Sequence, residues 1–329
     1  MTQRNHRASY LHKEGFNLSM YTTDELQQIH LATLEVLWEE GIHVNSKEAQ
    51  DIFKDGGAVV DYSTGKVKIR PYMVEEAIKS APSTIIMASR DGKHDYVMDG
   101  SRVGFTTFGA GVTVIDLDTN QPRNSNKQDL VNTAILGDYL DTVSVYSHSV
   151  TAQDCPASSC DLHEAEAFLN NTTKHCMHID LAHSENIPKY IDMAAAIVGG
   201  RDKLYERPII SALTCPQSPL QLHKITSDII VEFGKVGIPV NVLSMAMSGA
   251  TTPVTIAGTL VVHNAEVLAG IVLSQLANKG APVIYGSSTT SFDLQQASAP
   301  VGSPELGLCN AGVAALAQFY KLPSYVAGT

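Results

Sequence analysis

Between Pro239 and Thr329 short apolar runs with polar tails alternate with long helices built from small residues. Pro239–Ser248 reads as strand, Val254–Lys279 as helix, Pro282–Ser287 as strand, Pro304–Tyr320 as helix and Ser324–Ala327 as strand. This βαβαβ order predicts a parallel sheet with crossover helices, because parallel neighbours cannot be joined by tight turns. The same unit runs back to Lys127: helix Asp129–Tyr139, strand Thr142–Ser149, helix Leu162–Thr172, strand His175–Leu181, helix Ile187–Val198, strand Pro208–Leu213 and helix Gln221–Val236. Six strands result, near residues 145, 178, 210, 242, 284 and 325. Their spacing of roughly 30 to 40 residues is that of βα units. No Gly-rich phosphate loop follows the first strand, which argues against a dinucleotide or P-loop fold. The expectation is an α/β fold, a TIM-type (β/α)8 barrel incomplete at its C-terminus, since six units are two short of eight.

The first hundred residues read differently. Residues 1–20 are polar and irregular, as in a surface arm. A helix follows Thr22-Thr23-Asp24-Glu25, with Leu26, Ile29, Leu34 and Leu37 at helical spacing and Gly41 closing it. Lys47–Lys54 makes a second helix, Val59–Asp61 and Lys66–Ile69 a hairpin, and Pro71 opens a third helix through Ser80. The predicted division is a small α+β extension over 1–100 and a βα barrel domain over 101–329.

Composition narrows the function classes. A hydrophobic fraction of 44% suffices for a sizeable core, and no run of 18 residues reads as uniformly apolar, so no membrane span is expected. The first residues show no signal-peptide pattern, which places the protein in the cytoplasm. A net charge of −11 with scattered basic residues argues against nucleic acid. Five cysteines without a regular framework fit a reduced compartment.

In a βα barrel the residues at the C-terminal strand ends face the active site. Here these are Ser147-His148-Ser149 with Gln153-Asp154-Cys155, then Asp180 with His183, Thr214-Cys215 with Gln217, Met245–Ser248, and Ser287–Thr290 with Asp293. Hydroxyls, amides and a few carboxylates with scarcely a fixed cation suit a small polar or cationic ligand. Each has a plainer reading. His148 reads equally as a satisfied barrel histidine, Asp154 as a helix cap, and Met245 and Met247 as packing. His263-Asn264-Ala265-Glu266 reads as a polar ridge at a helix contact. Gly104, Gly109 and Gly111 fit either a closely packed glycine-rich strand or a loop that presents Phe105 and Phe108 to a cation. On one strand face Cys176, His178 and Asp180, with Cys155 or Cys215, form a weak zinc signal, lacking both CxxC and HExxH. No GxSxG elbow is present.

The segments MSGATTPVTIAGTLVVHNAEVLAGIVLSQLANKGAPVIYGSSTT (247–290) and SPELGLCNAGVAALAQFYKLPSYVAG (303–328), with DELQQIHLATLEVLWEEGIHV near the start, closely resemble the trimethylamine methyltransferase family. That family includes trimethylamine:corrinoid methyltransferases and pyrrolysine-free relatives acting on glycine betaine and similar quaternary amines. The resemblance implies a TIM-type barrel that takes a methylated amine and docks a separate corrinoid protein. It implies methyl transfer from trimethylamine to Co(I) of that protein's corrinoid (cobalamin), releasing dimethylamine, with no cofactor or metal held by this chain. Pyrrolysine, encoded by an amber codon in the trimethylamine members, is expected just after Thr329. That position favours trimethylamine over glycine betaine. On this reading Gln153, Asp154, Asp180 and Asp293 form a polar catalytic wall, and Phe105, Phe108 and His148 contact substrate. The alternatives are a pyrrolysine-free glycine betaine enzyme, a zinc-dependent methyltransferase using Cys176 and His178, or a module that only binds. Helices rich in small residues leave surface for a homo-oligomer.

Overall fold

Five-residue runs such as Ile210–Thr214 (ISALT) and Val240–Ser244 (VNVLS) are buried at every position. Burial on both faces is what strands of a helix-covered parallel sheet require, and it explains why these runs do not alternate. The computed structural model describes residues 11–12, 20–107, 109–179 and 181–327. They form two compact units interleaved in sequence, one of residues 11–12 with the described residues of 85–213 and one of residues 20–84 with 214–327.

In the first unit four parallel strands pair in sequence order: β1 (Phe105–Thr106), β2 (Val143–Ser147), β3 (His175–Ile179) and β4 (Ile210–Thr214). Helices α1 (Lys127–Tyr139), α2 (Cys160–Asn171) and α3 (Ile187–Val198) connect them. Asn126 and Asp129 form a reciprocal capping box at the start of α1, satisfying two backbone donors that a helix end otherwise leaves open. Gly199, at φ 87°, ends α3 in the left-handed conformation favoured at a helix C-terminus. The two-residue strand β1 was not counted among the expected six. The strands of this glycine-rich stretch are short, Arg102–Val103 and Phe105–Thr106, with a single further bridge from Gly111 to Val150; Gly104 lies against Tyr96, where a Cβ would sit 2.6 Å from the ring.

In the second unit α4 (Lys224–Val236), β5 (Val240–Ser244), α5 (Ile256–Ala277), β6 (Val283–Ser287), α6 (Pro304–Tyr320) and β7 (Ser324–Val326) follow the expected alternation. β6 pairs in parallel with both β5 and β7. Two boundaries differ from expectation. The run to Ser248 breaks at Ser244, and Met247–Ser248 pairs instead with Thr290–Ser291. Gln221–Leu222 is strand, paired in parallel with Ile42–Val44, so α4 begins only at Lys224. The hairpin expected over Val59–Asp61 and Lys66–Ile69 is present as Val59–Asp61 paired with Lys66–Lys68, and Ile42–Val44 extends it. The helix Thr23–Glu39 starts at a Thr22/Glu25 capping box and packs on α5.

By length and composition α5 is apolar enough to span a membrane, contrary to the sequence expectation, with a mean hydropathy of 1.7. Its surface is accounted for otherwise, as 72% of that stretch is buried. Small residues let it approach the sheet closely; a Cβ at Gly270 would lie 2.7 Å from Val242 Cγ1. The arm expected over residues 1–20 lies almost wholly outside the described residues.

Candidate functional site

The first unit's strands carry polar groups on two faces, His175 standing at the N-terminal end of β3, away from the tips. On the face away from the helices, His175 Nε2 meets Ser211 Oγ at 2.9 Å and Nδ1 meets Ala88 O at 3.2 Å. Burial holds the His175 imidazole down to about 4, so the ring is neutral at pH 7. Toward the helices, His148 follows the end of β2, His178 projects from β3 and Glu164 projects from α2. Glu164 Oε2 lies 3.6 Å from His148 Nε2 and 3.8 Å from His178 Nε2, all three side chains being buried. Phe168 and Tyr190 flank His178 edge-on. Burial above all, with the neighbouring His178 imidazole, depresses His148 to about 3.

Among the described residues this trio is the only set of three or more His, Cys, Asp or Glu donors within metal-binding distance of one another. The sequence had pointed to Cys176, His178 and Asp180. Cys176 stands outside the set, its thiol donating to Lys174 O, and burial pushes it up to about 12. Asp180 lies outside the described residues.

Gln153 and Asp154 occupy the exposed loop after β2. Gln153 Nε2 donates to Ser125 Oγ at 3.1 Å and also to Val112 O. Asp154 Oδ1 accepts from Lys127 N at 2.8 Å, so its carboxylate holds the first amide of α1, the helix before it rather than the one after. Phe105, on β1, is 55% exposed, and Phe108 lies outside the described residues. The glycine-rich segment runs beside the β2 tip: Gly111 N donates to Ser149 O at 2.9 Å and Ala110 N to His148 O at 3.2 Å. A Cβ on Gly109, at φ 152°, would meet Ser149 O at 3.0 Å, which is the close packing one of the two sequence readings required.

In the second unit the strand tips are lined by hydroxyls. Ser244, Ser287, Ser288, Thr289 and Thr290 are all buried, and Ser288 Oγ and Thr290 Oγ1 have no hydrogen-bond partner. Behind them lies Glu266, the one charged residue in α5. It accepts from Ser244 Oγ at 2.6 Å, Ser218 Oγ at 2.8 Å and Leu220 N at 2.9 Å. Burial raises the Glu266 carboxyl, against the lowering effect of these donors. His263 Nδ1 contacts Thr289 Oγ1 at 2.8 Å, while its Nε2 is buried without a partner. Asn264 donates to Tyr320 and Thr33 and accepts from Tyr285. The polar ridge read from the sequence therefore faces strand tips and core tyrosines. Asp293 accepts from Gln295 N at 2.8 Å and Gln296 N at 3.0 Å, in a turn beyond these tips. Met245, read as packing, is 50% exposed at the end of β5.

Sequence reasoning missed Glu164 and underrated Glu266. For Glu266 the signal was present, a lone carboxylate inside a 22-residue apolar helix. Glu164 gave none, since its helix carries several acidic residues and only the fold turns this one inward.

The family model for trimethylamine methyltransferase (MTTB) matches residues 1–329. The chain is 52% identical to the trimethylamine methyltransferase MttB of Desulfitobacterium hafniense, over 96% of this chain and 63% of that protein. It is 47% identical to MttB of Methanosarcina barkeri, over 100% of this chain and 67% of that one. A glycine betaine methyltransferase of D. hafniense is 30% identical over 94% of this chain and 64% of its own length. The chain thus spans about two thirds of the curated relatives it matches. Among solved structures, the monomethylamine methyltransferase MtmB of M. barkeri is similar over 93% of this chain and 68% of that one, with a TM-score of 0.50 and 10% identity. At that identity the likeness concerns the fold alone, and it agrees with the TIM-type α/β architecture expected from the βα repeat. The chain belongs to the trimethylamine methyltransferase family.

Proposed function

We propose that this protein transfers a methyl group from trimethylamine to Co(I) of a corrinoid carried by a separate protein in the cytoplasm, releasing dimethylamine. The observation that carries this reading is the identity pattern: 52% and 47% to trimethylamine methyltransferases against 30% to a glycine betaine enzyme. The hydroxyl-lined strand tips and the scarcity of fixed cations there support a small cationic substrate.

The chemistry sets what the chain must do. Co(I) supplies an electron pair to the methyl carbon, and the carbon–nitrogen pair leaves on nitrogen. A neutral trimethylamine would expel an amide anion, whereas trimethylammonium expels neutral dimethylamine with the proton already in place. The protein's task is to hold the amine protonated, in line with the acceptor and shielded from water. Carboxylates and an aromatic face stabilise such a cation. Gln153 and Asp154, in the first unit, are proposed for the polar wall, and Phe105 for contact with the methyl groups.

The test mixes the purified protein with trimethylamine and a corrinoid protein reduced to Co(I), and follows loss of the Co(I) absorption band together with dimethylamine formation. Stoichiometric conversion with trimethylamine and none with glycine betaine is expected. Turnover of glycine betaine in preference to trimethylamine would overturn the reading.

A further inference from the structure

We propose that His148, Glu164 and His178 form a closed binding site for a divalent transition metal of the zinc type, clamping the ends of β2 and β3 to helix α2. The site lies between sheet and helix layer and is separate from the methyl-transfer chemistry.

The distances carry the argument. Glu164 Oε2 is 3.6 Å from His148 Nε2 and 3.8 Å from His178 Nε2. A charge-assisted N–H···O bond needs about 2.7–2.9 Å, so neither contact is a hydrogen-bonded ion pair. Two ligands on a tetrahedral zinc at about 2.0–2.1 Å are separated by about 3.4 Å. The three donor atoms all lie within 4.8 Å of one another, so a modest contraction would bring both nitrogens and the oxygen onto one ion. Two imidazoles and a carboxylate are a donor set that zinc accepts.

The surroundings supply the independent observation. His148 is 3% exposed, and neither of its ring nitrogens has a hydrogen-bond partner. Asp161 Oδ2, on the same turn of α2, is likewise buried without one. Buried polar atoms are nearly always satisfied, so unpaired atoms clustered here call for a missing partner. The other two ligands are oriented as metal ligands are. Ala152 N donates to Glu164 Oε1 at 2.8 Å, leaving Oε2 turned toward the rings. His178 has a carbonyl 3.0 Å from each ring nitrogen, Ile179 O at Nδ1 and Asp161 O at Nε2; the tautomer with the proton on Nδ1 leaves the Nε2 lone pair for a metal. The backbone oxygen of Asp161, 3.0 Å from His178 Nε2, offers a fourth donor. With every ligand buried, no coordination position opens to substrate, which makes the metal a structural clamp.

The experiment strips the purified protein with a chelator, equilibrates it with Zn2+ and measures bound metal after gel filtration. About one Zn2+ per chain is expected, with a rise in melting temperature that tracks the free Zn2+ concentration. Replacing Zn2+ by Co2+ should give the visible absorption of a four-coordinate site. Glu164→Gln keeps the shape and the Ala152 contact, and should weaken binding tenfold or more; His148→Gln should do the same. If both variants fail to fold, the Zn2+ stoichiometry and the Co2+ spectrum of the unaltered protein decide alone. Absence of bound Zn2+ with an unshifted melting temperature would overturn the proposal. So would equal Zn2+ binding by Glu164→Gln, which would place the metal elsewhere.

Discussion

Glu266, in the middle of α5, accepts a 2.6 Å hydrogen bond from Ser244 Oγ at the end of β5. The same carboxylate takes Ser218 Oγ and Leu220 N, so one buried side chain ties a helix, a strand end and a loop. Removing a buried acceptor leaves its donors unpaired, which costs more than the bonds themselves contribute. Glu266→Leu is expected to lose about 3–5 kcal/mol of stability. Glu266→Gln, which keeps one acceptor and lets the serine hydroxyls turn, should lose about 1–2 kcal/mol. Chemical denaturation of both variants checks the ranking; equal losses would point to packing rather than hydrogen bonding.

Gly270 is a second contact set by space. A Cβ there would lie 2.7 Å from Val242 Cγ1 and 3.3 Å from Ile230 Cδ1. Alanine gains about 1 kcal/mol of helix propensity over glycine, yet overpacking costs about 1–3 kcal/mol. Gly270→Ala is therefore expected to destabilise. Combined with Val242→Ala, which opens the space, it should cost less than the two single changes summed, as a double-mutant cycle would read.

Acid should unfold the protein through its buried histidines. In the folded state burial depresses His263 to about 3 and His175 to about 4. The unfolded chain protonates its histidines near about 6.5, so it binds more protons than the folded one between that value and the folded ones. Stability from these sites is complete above pH 6.5 and declines as pH falls toward 4. The melting temperature should be flat from pH 8 to 7 and fall by several degrees below pH 6. His263→Gln, able to retain the Thr289 contact, should flatten that decline; an unaltered profile would remove His263 as its source.

Asp154 separates two roles in one residue. Its carboxylate accepts from Lys127 N at the start of α1, a bond that asparagine can keep. Asp154→Asn should therefore shift stability by less than about 1 kcal/mol. Turnover is expected to drop at least tenfold if the charge faces the methylated amine as proposed. Unchanged kinetics would leave Asp154 a helix cap only.

The βα repeat was legible in the sequence for a physical reason. Strands buried on both faces appear as short apolar runs, and the helices between them need caps and closers with distinctive chemistry. Thr22, Asn126, Thr255 and Ser303 all cap where such residues should. The polar character of the strand tips followed from the same repeat, since residues just past a strand end are fixed by counting. Identity to known relatives likewise resides in the order of residues.

Tertiary structure alone decided which of those polar residues meet. Glu164 looks like its acidic neighbours along α2 until packing turns it toward His148 and His178, which come from two different strands. Glu266 reads as an oddity in an apolar helix until Ser218 and Leu220 from one loop and Ser244 from a strand end converge on it. The glycine-rich stretch around β1 reads as β-like, but it is not counted among the βα units, because two residues carry no periodic signal and pair only because β2 is beside them. Local sequence specifies secondary structure through backbone propensity and burial pattern. A site requires side chains far apart in sequence to share a few ångströms, and that information exists only once the chain has folded.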